Sequence, residues 1–195
     1  MFILQSRSNS LSMSSTSTDY DIKTLKTMLT ELAGPTKNGL LASPSTTIEI
    51  ASVISSLNLL NKITDLTTSA ILDGEWTLLY TTNSGSSAGK IGPFIGTVTQ
   101  DIDLASTFYE NKVTIFPFVE ASLDATWEHD AFSFDTLWLV KFKKLVLRVF
   151  GVPVVTKELD QTGFWRMTYL DADLRILYAK GGKNLKKENV YVLVK

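Results

Sequence analysis

From Val119 to Glu128 the chain alternates without a break. Val119, Ala121, Leu123, Ala125 and Trp127 fall on one side, and Glu120, Ser122, Asp124, Thr126 and Glu128 on the other. A period of two sustained this long fits a half-buried antiparallel strand and excludes a helix. The same period recurs from Leu72 to the end. Trp76, Leu78 and Tyr80 form one row, Tyr109, Val113 and Ile115 another, and Phe134, Trp138, Val140 and Phe142 a third. After Lys143-Lys144 the third row shifts to Leu145, Leu147 and Val149, a change of parity that predicts a turn or a bulge. Further strands centre on Phe164–Leu170, Leu174–Ala179 and Val190–Val194, joined by Asp171-Ala172-Asp173 and by a loop over Gly181–Glu188. About eight strands with short turns predict a mainly β protein, an antiparallel barrel whose closure removes exposed edges.

Ahead of the strands the period is helical. Ile22, Leu25, Met28, Leu29 and Leu32 recur every three or four residues until Gly34-Pro35. A second helix opens at Pro44-Ser45-Thr46, where Thr46 and Glu49 have capping-box spacing, and carries Ile50, Val53, Ile54, Leu57 and Leu60. Neither helix bears a chemically useful group, so both are expected to pack against the barrel. Residues 1–18 are rich in Ser and Thr and lack acids, the composition of a transit-like or disordered segment. The chain therefore divides into 1–18, a helical region over 19–70 and a barrel over 71–195. No stretch reaches the roughly 18 uninterrupted apolar residues of a spanning helix.

Composition narrows the chemistry. Cysteine is absent, which removes thiol nucleophiles, disulfides and Cys-ligated metals. His129 is the only imidazole, so a multi-His metal site within one chain is excluded, and no cofactor or metal is expected. No serine sits on a Gly-x-Ser-x-Gly elbow, and the Gly/Ser run Asn83–Gly89 lacks the spacing of a phosphate loop. Charge is uneven: residues 1–140 carry 7 bases and 15 acids, residues 141–195 carry 12 bases and 5 acids. Either the halves mix within one barrel, or the second half faces an anionic surface. The run Lys141-Phe142-Lys143-Lys144-Leu145-Val146-Leu147-Arg148 has two readings. Its bases Lys141, Lys143, Lys144 and Arg148 meet lipid headgroups while Val146 or Phe150 dips into the interface, or lysines guard an edge strand. No basic helix accompanies them, so nucleic acid is not an expected partner.

Gly74-Glu75-Trp76 matches the Gly-x-Trp signature of lipocalin-like barrels. The longer run Leu72-Asp73-Gly74-Glu75-Trp76-Thr77-Leu78-Leu79-Tyr80-Thr81-Thr82 resembles the opening of the plastid lipid-associated protein family, the plastid fibrillins. Gly163-Phe164-Trp165, then Tyr169-Leu170-Asp171-Ala172-Asp173-Leu174-Arg175-Ile176 and a final Val192-Leu193-Val194-Lys195, resemble its later elements. Where the family usually has Arg-Gly, this chain has Tyr178-Ala179-Lys180-Gly181-Gly182 and a Lys-rich stretch. The resemblance implies a lipocalin-like barrel in a chloroplast protein associated with plastoglobules or thylakoids. It also implies a non-enzymatic binder of hydrophobic small molecules such as carotenoids, prenylquinones or fatty acids, with a plastid protein as possible partner.

On that reading the inward rows become a lumen lined by Leu78, Tyr80, Val113, Ile115, Leu123, Trp127, Trp138, Val140, Leu147, Trp165, Met167 and Tyr169. The list describes a solid core as well as a cavity. Tyr80, Tyr169 and His129 are the polar groups placed to orient a headgroup or ring ketone. Trp76 is expected to close the base or to contact the ligand, with Arg175 either stacked on it or paired with Asp171 or Asp173. Gly74, Asp171, Asp173 and Arg175 are read as structural.

Overall fold

The computed structural model describes residues 13–130, 132–133, 135–181 and 184–195, without the side chains of 13–18, 20 and 184–186. Phe134 and residues 1–12 lie outside them. Eight antiparallel strands close a barrel: β1 (Gly74–Thr81), β4 (Thr97–Asp103), β5 (Phe108–Phe116), β6 (Val119–His129), β7 (Leu137–Val149), β8 (Val152–Leu170), β9 (Leu174–Gly181) and β10 (Asn184–Val194). Neighbours follow chain order, and β1 closes the ring by pairing with both β10 and β4. A small hairpin of β2 (Lys90–Ile91) and β3 (Phe94–Ile95) stands apart from the barrel sheet. The predicted mainly β, lipocalin-like barrel preceded by helices is the observed fold.

The parity change at Lys143-Lys144 is a bulge within one continuous strand. Asp124 faces Lys144 while Ala125 faces Phe142, leaving Lys143 unmatched. The barrel strand missing from the sequence reading is β4, and β8 starts at Val152, well before Phe164. The predicted Gly181–Glu188 loop is largely strand, since β10 begins at Asn184.

Helix α1 (Met13–Ala33) starts ahead of Asp19, and a 3₁₀ turn at Gly34–Thr36 follows it. Helix α2 (Pro44–Leu59) is capped by Ser43, whose Oγ accepts from the Thr46 backbone N–H at 3.1 Å, so the cap lies three residues before the predicted Thr46 box. Both helices pack on the outside of the barrel. Leu29, Ala33, Ile50, Val53, Ile54 and Leu57 bury themselves against outward residues of β1, β8, β9 and β10, among them Ile176, Val190 and Val192.

The molecule thus has two apolar layers, one inside the barrel and one beneath the helices, and two bulges decide which residues enter each. The β1–β10 register slips between Leu78 and Tyr80, and the β8–β9 register between Met167 and Tyr169. Each slip inverts side-chain parity. Trp76, Leu78, Trp165 and Met167 stay inside, whereas Tyr80 and Tyr169 turn out under the helices. Neither tyrosine reaches the lumen that simple alternation predicted for it.

Charges from the two halves mix as expected of one barrel. Lys26 of α1 bonds Asp171 at 2.8 Å and also Asp173. Lys141 pairs with Glu128 at 2.9 Å, and Arg148 with Glu120 at 3.1 Å. Asp171 and Asp173 serve α1 and are not partners of Arg175. Gly74 opens β1 at φ +97°, a conformation that glycine adopts without strain, although a side chain there would meet nothing within 4 Å.

Candidate ligand-binding site

The barrel has a filled end and an open end. At the filled end, where β1 begins, Trp76, Trp127 and Trp138 occupy the lumen with Leu66, Leu72 and Ile102. Trp127 and Trp138 stack with centroids 4.0 Å apart and planes 9° from parallel. The segment before β1 seals this end. Trp76 Nε1 donates to the Leu72 carbonyl at 2.9 Å, and Trp138 Nε1 to the Thr67 carbonyl at 3.2 Å. His129 ends β6 here, edge-on to Trp127 at 5.4 Å, and is not among the residues that line the open end.

Above the tryptophans lies a cup of about 240 Å³. Of the predicted lumen residues, Leu123 and Trp165 line it. Leu78, Val113, Val140 and Met167 belong to the packed core, and Ile115 and Leu147 are half-buried toward the open rim. Sequence reading missed the cup's polar side: Gln100, Asn111 and Gln161, with the phenols Tyr109 and Tyr191. The available signal was a single amide in each of two otherwise apolar inward rows, Val98-Gln100-Ile102 and Tyr109-Asn111-Val113.

Gln100 organises this side. Its Nε2 donates to Asn111 Oδ1 at 3.4 Å, and its Oε1 accepts from Arg175 Nη2. Arg175 is fully buried and lies over the Trp76 ring, 5.1 Å from its centroid, while Lys195 Nζ lies 4.7 Å from the same centroid. The stacked role for Arg175 is therefore the observed one. Its Nε and Nη1 have no hydrogen-bond partner among the described residues. Burial pushes the guanidinium down to about 10, against a smaller upward effect from Tyr109, so it stays cationic at neutral pH.

Burial likewise raises Tyr109 well above its ordinary value, with Arg175 opposing, and raises Tyr191 against the opposing effect of the Ser87, Thr81 and Asn83 side chains. Both remain protonated phenols at neutral pH. Tyr109 also meets Trp165 edge-on at 4.5 Å. The cup therefore combines aromatic walls with amide and hydroxyl groups that satisfy a neutral polar headgroup. Among the described residues no cluster of three or more ligating side chains suits a metal.

The four basic residues singled out on β7 divide. Lys141 and Arg148 are engaged with acids of β6, and Arg148 also donates to Ser122 Oγ at 2.9 Å. Lys143 projects from the bulge and is exposed, and Lys144 is half-buried. Val146 is buried and unable to dip into an interface, whereas Phe150 is exposed. No helix among the described residues is long and apolar enough to cross a membrane.

Residues 23–185 match the model of the PAP_fibrillin family. Over 162 residues the chain is 27% identical to an Arabidopsis thaliana protein described as probable plastid-lipid-associated protein 5, chloroplastic. That match takes in 82% of this chain and 66% of the relative, so the chain spans just under two thirds of that protein's length. With Gly74-x-Trp76 at the sealed end, Arg175 stacked on Trp76, and a family match running from α1 to β10, the chain belongs to the PAP_fibrillin family.

Proposed function

We propose that this protein is a non-enzymatic, chloroplast lipid-associated protein that holds the ring or polar head of a hydrophobic small molecule in its cup. Carotenoid, prenylquinone and fatty acid are the candidate classes, and plastoglobule or thylakoid lipid is the setting. The observation that carries this reading is the cup itself: aromatic and aliphatic walls, a few convergent amides and phenols, and an opening at one end of the barrel. Its 240 Å³ exceeds the ~150 Å³ cavity known to bind benzene, yet falls below the ~300–1,000 Å³ of pockets that enclose drug-sized ligands. A ring or headgroup enters, and a long tail stays outside. Amides and protonated phenols are recognition groups rather than a nucleophile–base pair, which favours binding over catalysis. The relative's plastid and lipid description supports the location.

Trp165 in the cup wall provides the test. Titrating a panel of prenylquinones, carotenoids and fatty acids should change tryptophan emission saturably, and Ala179→Phe, which fills the cup, should weaken that response about tenfold or more. No response to any of the panel, together with no lipid extracted from the purified protein, overturns the reading. The filled lower half of the lumen favours a second reading, a scaffold that coats lipid or holds a plastid protein partner. That reading wins if lipid vesicles recruit the protein while Trp165 stays silent.

A further inference from the structure

The open end of the barrel carries apolar side chains that the core does not use. Phe94 sits in the β2–β3 hairpin, Phe116 and Phe118 flank Pro117 in the β5–β6 turn, and Phe150 forms the β7–β8 turn. All four are exposed, Phe150 at 76%. They make one continuous ladder: Phe94 meets Phe116 edge-on at 5.3 Å, Phe116 stacks on Phe118 at 5.5 Å, and Phe118 stacks on Phe150 at 5.0 Å. Val152, Val154 and Val155 extend the apolar surface along β8.

The backbone makes this ladder more than surplus hydrophobe. Phe150 has φ +50°, a left-handed conformation that a bulky side chain adopts only under strain. Its N–H donates to the Phe118 carbonyl at 2.7 Å, tying the two turns together. A glycine or asparagine would relieve the strain and remove the exposed ring, so all that the ring gives the folded chain is its stack on Phe118.

Behind the ladder, residues 136–157 carry no acid; of their bases Lys141 and Arg148 are paired with acids of β6, Lys144 is half-buried, and Lys143 and Lys157 stand exposed. The cup opens at this same end, where β1 and β9 finish and Lys180, Gly181 and Ser87 form its rim.

We propose that this end of the barrel is a docking face for an anionic lipid surface, in which the Phe94–Phe116–Phe118–Phe150 ladder enters the apolar boundary, the lysines behind it meet headgroups, and the cup opens onto the lipid. The ladder rides on protruding turns rather than in a groove, which suits a surface that deforms around it, and the acid-free strand behind it complements anionic headgroups. The geometry also explains the size of the cup. A ligand whose head fills 240 Å³ leaves its tail at the mouth, and in this orientation the tail remains in the lipid. The inference rests on the binding reading above only for that last consequence; docking stands without it.

The chain has no cysteine, so single substitutions carry a fluorophore cleanly. With an environment-sensitive dye on Phe118→Cys, vesicles of phosphatidylcholine mixed with equal parts phosphatidylglycerol should shift emission to the blue. The dye on Phe132→Cys, fully exposed at the opposite end, should not respond. Phe150→Asn should weaken vesicle partition about tenfold. Its thermal midpoint should hold or rise, and its ligand titration in vesicle-free solution should be unchanged. Neutral phosphatidylcholine vesicles and high salt should both weaken docking of the parent protein. Vesicle binding unaffected by Phe150→Asn, or a dye response at Phe132→Cys without one at Phe118→Cys, overturns the proposal. So does a ladder that ignores vesicles and is covered only by another protein. A silent cup with intact docking overturns the ligand reading alone.

Discussion

The two ends of the barrel use the same kinds of residue in opposite ways. At the sealed end, large aromatics are buried, Trp76 and Trp138 donate to carbonyls of the preceding segment, and Asp171 and Asp173 hold α1 through Lys26. At the open end, four phenylalanines stand in solvent on turns, one of them on strained backbone. The difference teaches that stability and binding are divided along the barrel axis. Burial of large aromatics stabilises the first end, where Trp76 and Trp138 donate to carbonyls although Trp127 Nε1 and two Arg175 nitrogens find no acceptor among the described residues. Exposed apolar area and strain lower the stability of the second and leave it free to engage something else.

Three substitutions or conditions break or sharpen that contrast. The largest effect belongs to Trp76→Ala, which empties the sealed end, strips Arg175 of its aromatic partner and should cost about 3–5 kcal/mol in denaturant unfolding. A loss below about 1 kcal/mol would put the stabilising centre elsewhere.

Acid comes next. Burial by itself pushes the Asp171 carboxyl up, but hydrogen bonds from Lys26 Nζ, Tyr169 Oη and the backbone N–H groups of Asp173 and Leu174 outweigh it and hold it at about 2. Because the folded value lies below the unfolded one of 3.8, the stabilisation is fully present above that value and disappears as pH falls through about 2. Solvent screening of the half-exposed carboxylate leaves it on the order of 1 kcal/mol. Asp171→Asn should flatten the acid limb of the stability curve over that window, and an unchanged limb would remove the Lys26 clamp from the account. On the alkaline side burial works against Lys26, but its bonds to Asp171 and Asp173 raise it overall, so its contribution fades only as pH climbs through that raised value.

The smallest effect has the opposite sign. Phe150→Gly should stabilise the protein by about 0.5–1 kcal/mol in thermal melts, because it removes left-handed strain. A clear destabilisation would mean that the ring serves the fold and would erase the contrast between the ends.

What could be read from the sequence followed burial on one face. Strand β6 was plain because one side meets the core and the other meets water, so its alternation runs nearly clean. The first half of β8 was hidden because Val152–Glu158 is exposed on both faces and has no pattern to show. Strand β4 was hidden for a different reason: Gln100 sits in its inward row, and an amide in a core row reads as a loop. The same chemistry concealed the polar wall of the cup. Tyr80 and Tyr169 were misplaced because one inserted residue, Leu79 or Thr168, inverts every side chain beyond it, and composition carries no trace of the insertion. The stacked Arg175 came through because Gly-x-Trp and a downstream Arg are local patterns that the barrel brings together.

The partition of the four tryptophans has an optical consequence. Trp127 and Trp138 lie nearly parallel and 4.0 Å apart, close enough for their excited states to mix and give a paired positive and negative band in circular dichroism. Trp165, opposite Trp138 on the neighbouring strand, lines the cup wall. The stacked pair thus reports on the sealed half through circular dichroism, and Trp165 on the cup through its emission, in one cuvette and without a label.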